Sequence, residues 1–114
     1  MKLLLLSNST NPNEPYLSWP LEYIERMMDG CKNAVFVPYA AAGFSYDEYE
    51  SRVNESLAQR GLSVTSIHRS NNLIQTLDDA DAILVGGGNT FHLLHELQRL
   101  NLVEKIKSVV NSGI

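Results

Sequence analysis

The stretch Ala82-Ile83-Leu84-Val85-Gly86-Gly87-Gly88-Asn89-Thr90-Phe91 constrains this chain more than any other. An apolar run of strand length ends in three consecutive glycines. Asn89 and Thr90, both favourable helix N-caps, then open the helical pattern Phe91-His92-Leu93-Leu94-His95-Glu96-Leu97. Glycine admits positive φ and lets backbone approach a ligand with no Cβ in the way. The first amides of the helix lack intrahelical acceptors and point toward whatever sits above the strand. With the helix dipole they favour negative charge, either a bound anion or a charge that develops only during a reaction. The alternative is a tight turn packed on its own helix, but three glycines exceed what packing alone requires.

The rest of the chain reads as strand and helix in alternation. Lys2–Leu6 is a short continuous apolar run, the pattern of a strand covered on both faces, and it ends in the polar loop from Ser7 to Pro15. Tyr16 to Met28 reads as a helix, with Leu17, Leu21, Ile24 and Met28 on one face. Pro20 suits a first turn, so the helix has an alternative start near Trp19, and Gly30 ends it. Ala34–Val37 is a second buried strand, closed by Pro38. Ser45-Tyr46-Asp47-Glu48 is a capping box. It opens a helix that carries Tyr46, Tyr49, Val53 and Leu57 on its core face and stops at Gly61. Leu62 to His68 is a third strand whose imperfect alternation suits a sheet edge, and Asn71 to Leu77 a short helix. Ala82–Val85 is the central strand, and a last helix uses Leu102, Val103, Ile106, Val109 and Val110.

Such alternation implies a three-layer, doubly wound α/β fold: a parallel sheet, helices on both faces, right-handed crossovers. Ligands then sit beyond the carboxyl ends of the strands. The site is expected from Ser7-Asn8-Ser9-Thr10, Pro38-Tyr39-Ala40-Ala41, His68-Arg69 and Gly86-Gly87-Gly88-Asn89. After the last helix, a glycine turn and Ile114 read as the approach to a fifth strand, so residues 1–114 are expected to be the front part of a longer domain.

Composition narrows the class. A chain of 114 residues suits one domain, and 44% hydrophobic with 19% charged residues describes an ordinary soluble globular protein. A net charge of −4 with no basic cluster argues against nucleic acid or an anionic membrane as partner. Cys31 is the one cysteine, which excludes an internal disulfide and points to a reducing compartment. It follows the helix end Asp29-Gly30 and reads as a small half-buried residue. The leucine run at the start is too short for a signal peptide and no segment is long enough to span a bilayer, so a cytoplasmic protein is expected. The sequons at Asn8 and Asn54 are read as chance.

A set of stretches in fixed order carries a family resemblance. They are Leu3–Thr10, Ala34–Ala40, Asp47-Glu48-Tyr49, Gly61–Arg69 and Ile83–Phe91. Together they resemble the N-terminal half of the peptidase E (aspartyl dipeptidase) family of serine peptidases. The resemblance implies a class I glutamine amidotransferase-like fold, truncated here before the nucleophile strand, so that residues 1–114 form the N-terminal half of a single α/β peptidase domain. It implies cytoplasmic hydrolysis of dipeptides with N-terminal aspartate, without metal or other cofactor. Members carry the nucleophilic serine in a Gly-x-Ser-x-Gly-like turn after the next strand, and the histidine and acid further on. That strand would begin near Ile114, so the triad is expected after it and no triad residue is assigned here. Expected partners are an Asp-containing dipeptide and, if the protein is cleaved, the C-terminal fragment; a homodimer is also compatible.

What the resemblance places on this chain is the glycine loop. Acyl transfer needs amides aimed at the developing oxyanion, one of them from a strand–helix loop beside the nucleophile. Gly88 is assigned that donor role, with Gly87, Asn89 and Thr90 as substrate-binding residues. His92 and His95 lie three apart but lack the His-Glu-x-x-His order and a third ligand, so they are read as surface or packing histidines. Arg69 is either a contact for a substrate carboxylate or an ordinary solvated arginine. Ser7 and Ser9 have no evident base, Tyr46 and Tyr49 read as core, and the acidic groups Asp47-Glu48 and Asp78-Asp79-Asp81 as helix-end and loop charge. Two rival readings are a flavodoxin-like nucleotide- or flavin-binding module, resting on Ser7-Asn8-Ser9-Thr10 and Asn13, and a non-catalytic truncation of the peptidase fold.

Overall fold

The computed structural model describes Leu4, residues 12–41 and residues 43–111. Apart from Leu4, the expected first strand and its loop through Asn11 lie outside the described residues, as do residues 112–114. Leu4 is half-buried and packs beside the first of the two apolar clusters described below.

The chain order is α1 (Leu21–Met27), β1 (Ala34–Val37), α2 (Tyr46–Leu57), β2 (Thr65–Ser66), α3 (Leu73–Asp78), β3 (Ala82–Val85), α4 (Thr90–Arg99) and α5 (Val103–Asn111). The sheet has the order β2-β1-β3 and both pairings are parallel. Val35 pairs with Thr65 on one side of β1, and Ala34 to Val37 pair with Ala82 to Val85 on the other. The connection through α2 steps outward from β1, and the connection through α3 returns past it. Crossovers of one hand that step in opposite directions put their helices on opposite faces.

The pleat of β1 divides the core accordingly. Ala34 and Phe36 join Leu21, Ile24, Tyr49, Val53 and Leu57 from α1 and α2. Val35 and Val37 face the other way, toward Leu77, Leu102, Leu93 and Leu97. β1 is buried along its whole length. This is the three-layer α/β arrangement expected from the alternation.

Four expectations need correction. The first helix begins at Leu21, with Pro20 at its N-cap, rather than at Tyr16, in agreement with the alternative start near Trp19. Leu17 adopts φ 59°, which no helix can contain, yet it stays in the core beside Leu21, Ile24 and Met28. The spacing therefore identified the right buried set with the wrong helix start. The third strand shrinks from Leu62–His68 to Thr65–Ser66, followed by a 3-10 turn at Ile67–Arg69. Its cause lies in α2: the Asn54 side chain accepts the Val64 amide at 2.7 Å and donates to the Val64 carbonyl at 2.9 Å. A side chain thus takes the groups a neighbouring strand would have paired. The central strand among the described residues is β1, not β3, whose residues are half-buried and whose Val85 is exposed. Finally, Asp81 is more than loop charge, because its Oδ2 accepts the Lys32 and Asn33 amides at 3.0 and 3.1 Å and ties the entries of β1 and β3 together.

Candidate functional site

The carboxyl end of β3 continues past the strand for one residue, where the Gly86 amide donates to the Val37 carbonyl at 3.1 Å. The chain then leaves the sheet. Asn89 caps α4, its Oδ1 accepting the His92 amide at 3.0 Å, while its own amide donates to the Ala40 carbonyl at 2.8 Å. Between these anchors the Tyr49 hydroxyl, from α2, donates to the Gly87 carbonyl at 3.0 Å. The corner is therefore fastened to the loop after β1 and to the helix that follows that loop.

Each glycine has a different reason to be there. A Cβ on Gly86 would stand 2.5 Å from the Tyr49 hydroxyl oxygen. One on Gly88 would stand 2.3 Å from the Ala40 carbonyl oxygen, and Gly88 has φ +140°, which L side chains rarely adopt. A Cβ on Gly87 would meet nothing within 4 Å. Packing thus accounts for two of the three, so the count of glycines is a weaker argument for a ligand than the sequence suggests. Gly87 is the one that packing leaves unexplained. Among the described residues the Gly88 amide meets no acceptor. Gly87, Gly88, Asn89 and Thr90 are all exposed.

A second group of polar side chains borders the corner on the α2 side. The Tyr46 hydroxyl is 3.2 Å from His92 Nε2, joining the first turns of α2 and α4. The Tyr46 ring also meets Tyr39 and His68 edge-on. Burial, and after it the charge of Glu96, raises the Tyr46 phenol above its ordinary value, so it is a protonated donor or acceptor at neutral pH. His92 is thus tied to Tyr46 and His95 is exposed, which places them as a packing and a surface histidine.

Arg69 is exposed to solvent, and its guanidinium is paired with two carboxylates of α2. Its Nε binds Glu50 Oε1 at 2.7 Å and its Nη2 binds Asp47 Oδ1 at 2.9 Å. Asp47 also receives His68 Nε2 at 2.7 Å, and His68 Nδ1 contacts the Ser66 hydroxyl. The hydrogen bond from His68, reinforced by the charge of Arg69, lowers the Asp47 carboxyl below its ordinary range. Serine, histidine and aspartate in a chain resemble a catalytic relay, but Ser66 is a residue of β2 only 1% exposed, where no substrate reaches it. The network fastens the carboxyl end of β2 to α2. Tyr49 is indeed core, as the pattern predicts, and Tyr46 is only partly covered. Sequence reasoning missed what the Tyr49 hydroxyl does; the available signal was a tyrosine, rather than a phenylalanine, at a core position.

Residues 3–114 match the family model described as Peptidase family S51. The chain is 43% identical over 110 residues to Peptidase E of Shewanella sp. (strain W3-18-1), covering 96% of this chain and 47% of that protein. It is likewise 43% identical over 110 residues to Peptidase E of Shewanella putrefaciens, with the same coverage. Against Peptidase E of Shewanella amazonensis the identity is 42% over 113 residues, 99% of this chain and 48% of that protein. The chain spans about half the length of the curated relatives it matches. With the family model covering nearly the whole chain, the protein belongs to the peptidase E family, Peptidase family S51.

Proposed function

We propose that this chain is the glycine-corner half of a serine-type dipeptidase that hydrolyses dipeptides with N-terminal aspartate in the cytoplasm. The corner lies at the carboxyl edge of a parallel sheet, where α/β proteins bind ligands. The observation that carries the reading is a fastened backbone whose Gly88 amide meets no acceptor among the described residues. When a serine oxygen adds to the scissile carbonyl, the carbonyl oxygen becomes an alkoxide. An amide already held in place stabilises that charge without reorganising. Gly88 supplies the donor; Gly87, Asn89 and Thr90 line the substrate. The serine, its histidine and its acid are expected after Ile114, from the rest of the same protein, with no metal or other cofactor. The flavin-binding alternative rests on Ser7-Asn8-Ser9-Thr10, which lies outside the described residues, and no observation favours it.

A side chain at position 88 is a poor test, because any Cβ collides with the Ala40 carbonyl. Replacing the Gly88 amide with an ester in the full-length protein removes the donor and adds no atom. On Asp-Leu, kcat is expected to fall by about 10²–10³, the loss typical of one oxyanion donor. An unchanged kcat refutes the role of Gly88. Residues 1–114 assayed alone are expected to leave Asp-Leu intact, and turnover by them would place the nucleophile within this chain.

A further inference from the structure

We infer that Tyr49 is a positioning residue for the reaction: its hydroxyl, bound to the Gly87 carbonyl, sets the direction in which the Gly88 amide points. This rests on the role proposed above for Gly88. The Gly87 carbonyl and the Gly88 N–H belong to one peptide unit, planar and trans, in which C=O and N–H point opposite ways. A hydrogen bond that draws the carbonyl toward α2 therefore turns the amide away from α2. Glycine stands on both sides of this peptide, so the backbone itself resists rotation of the plane less than it would between residues that carry side chains. If the plane flips, a carbonyl oxygen replaces the donor, and it repels a developing oxyanion. Something outside the loop has to hold it.

Tyr49 is built for that. Its ring is 6% exposed and is held edge-on by Phe36 at 4.9 Å and Phe44 at 5.1 Å. The absence of a side chain on Gly86 leaves room for the phenol, because a Cβ there would stand 2.6 Å from the ring carbon bearing the hydroxyl. With the ring fixed on three sides and its hydroxyl also hydrogen-bonded by Tyr16, the Tyr49 oxygen is held 3.0 Å from the Gly87 carbonyl. Burial raises the phenol above its ordinary value, so the group stays protonated and donates. Donation to a carbonyl also polarises the peptide and strengthens its N–H as a donor. Phenylalanine would serve the core equally well and would do none of this.

The test is a cycle in the full-length protein on Asp-Leu. Tyr49→Phe keeps the ring contacts and is expected to lower kcat about 10- to 100-fold, less than loss of the donor itself, with KM unchanged. In the protein carrying the Gly88 ester, the same substitution should cost nothing further, because the amide it positions is already gone. The Gly88 amide nitrogen resonance should move upfield in Tyr49→Phe. Should that variant not fold, 3-fluorotyrosine at position 49, a stronger donor on the same ring, should move that resonance downfield. If the ester lowers kcat and Tyr49→Phe does not, the inference on Tyr49 fails and Gly88 keeps its role. An equal loss from Tyr49→Phe with and without the ester makes Tyr49 structural only, and an unmoved Gly88 resonance overturns the inference as well. If the ester itself has no effect, the role of Gly88 is what fails.

Discussion

Side by side, Gly86, Gly87 and Gly88 are indistinguishable as letters, and the structure separates them by what a single methyl group would touch. At Gly86 it would overlap the Tyr49 phenol, and at Gly88 a backbone oxygen, on a backbone already in the left-handed half of φ. Gly86→Ala and Gly88→Ala are each expected to destabilise the full-length protein by about 1–3 kcal/mol, from overpacking in the first case and strain plus overlap in the second. Gly87→Ala should change stability by less than about 0.5 kcal/mol, since its Cβ meets open space. Urea midpoints at constant m-value measure the three. The same residue then reports on function. Gly87→Val reaches further into that space, so on Asp-Leu it should raise KM while the urea midpoint stays put. A stable Gly87→Val enzyme with unaltered kcat/KM would mean that the corner faces no substrate. At this scale the sequence showed where the backbone turns but not which atoms press on it, because those atoms belong to Ala40 and Tyr49, both distant along the chain.

Helix α2 shows how one element does two jobs with interleaved stripes. Tyr49, Val53 and Leu57 repeat at four-residue steps and fill the core against Phe36. Asp47, Glu50 and Asn54, at steps of three and four, form a second stripe. Glu50 accepts the Ser66 amide at 2.5 Å, Asp47 holds His68 and Arg69, and Asn54 holds both backbone groups of Val64. The first stripe was legible from apolar periodicity. The second was not, because polar residues on a helix ordinarily face water and their partners lie 10 to 22 positions away. For the same reason the length of β2 was overestimated: its residues favour a strand, but α2 competes for their backbone. Asn54→Ala leaves the Val64 amide and carbonyl, on a residue only 5% exposed, without their partner. Each such group costs about 1–3 kcal/mol, so a loss of about 2–6 kcal/mol is expected. Glu55→Ala, on the exposed side of the same helix, should stay within about 0.5 kcal/mol. Equal urea midpoints for the two variants would show that water replaces the asparagine without penalty.

Across the whole molecule, cover is uneven from one side of the sheet to the other. β1 is buried on both faces, while β3 has Val85 at 53% exposure, and α4 next to it leaves Phe91 at 88% and Leu94 at 49%. Phe91 and Leu94 are three apart on α4 and share one of its faces, whereas Leu93 and Leu97 turn toward the core. Among the described residues nothing pairs with the outer side of β3. An apolar strand edge beside exposed aromatic and aliphatic side chains attracts another strand or another copy. The relatives are about twice as long as this chain, and the second half of a protein of that length is the expected occupant of that side. Residues 1–114 prepared alone should therefore enhance the fluorescence of an apolar dye and associate as concentration rises, and full-length protein should do neither. Val85→Lys, which sets a charge on the strand edge, should suppress association of the isolated chain. Adding the separately prepared remainder should lower dye binding and yield a complex that elutes as one species. An isolated chain that stays monomeric and dark at high concentration would mean that β3 and α4 are covered from within residues 1–114, and the glycine corner between them would then have no second half to complete it.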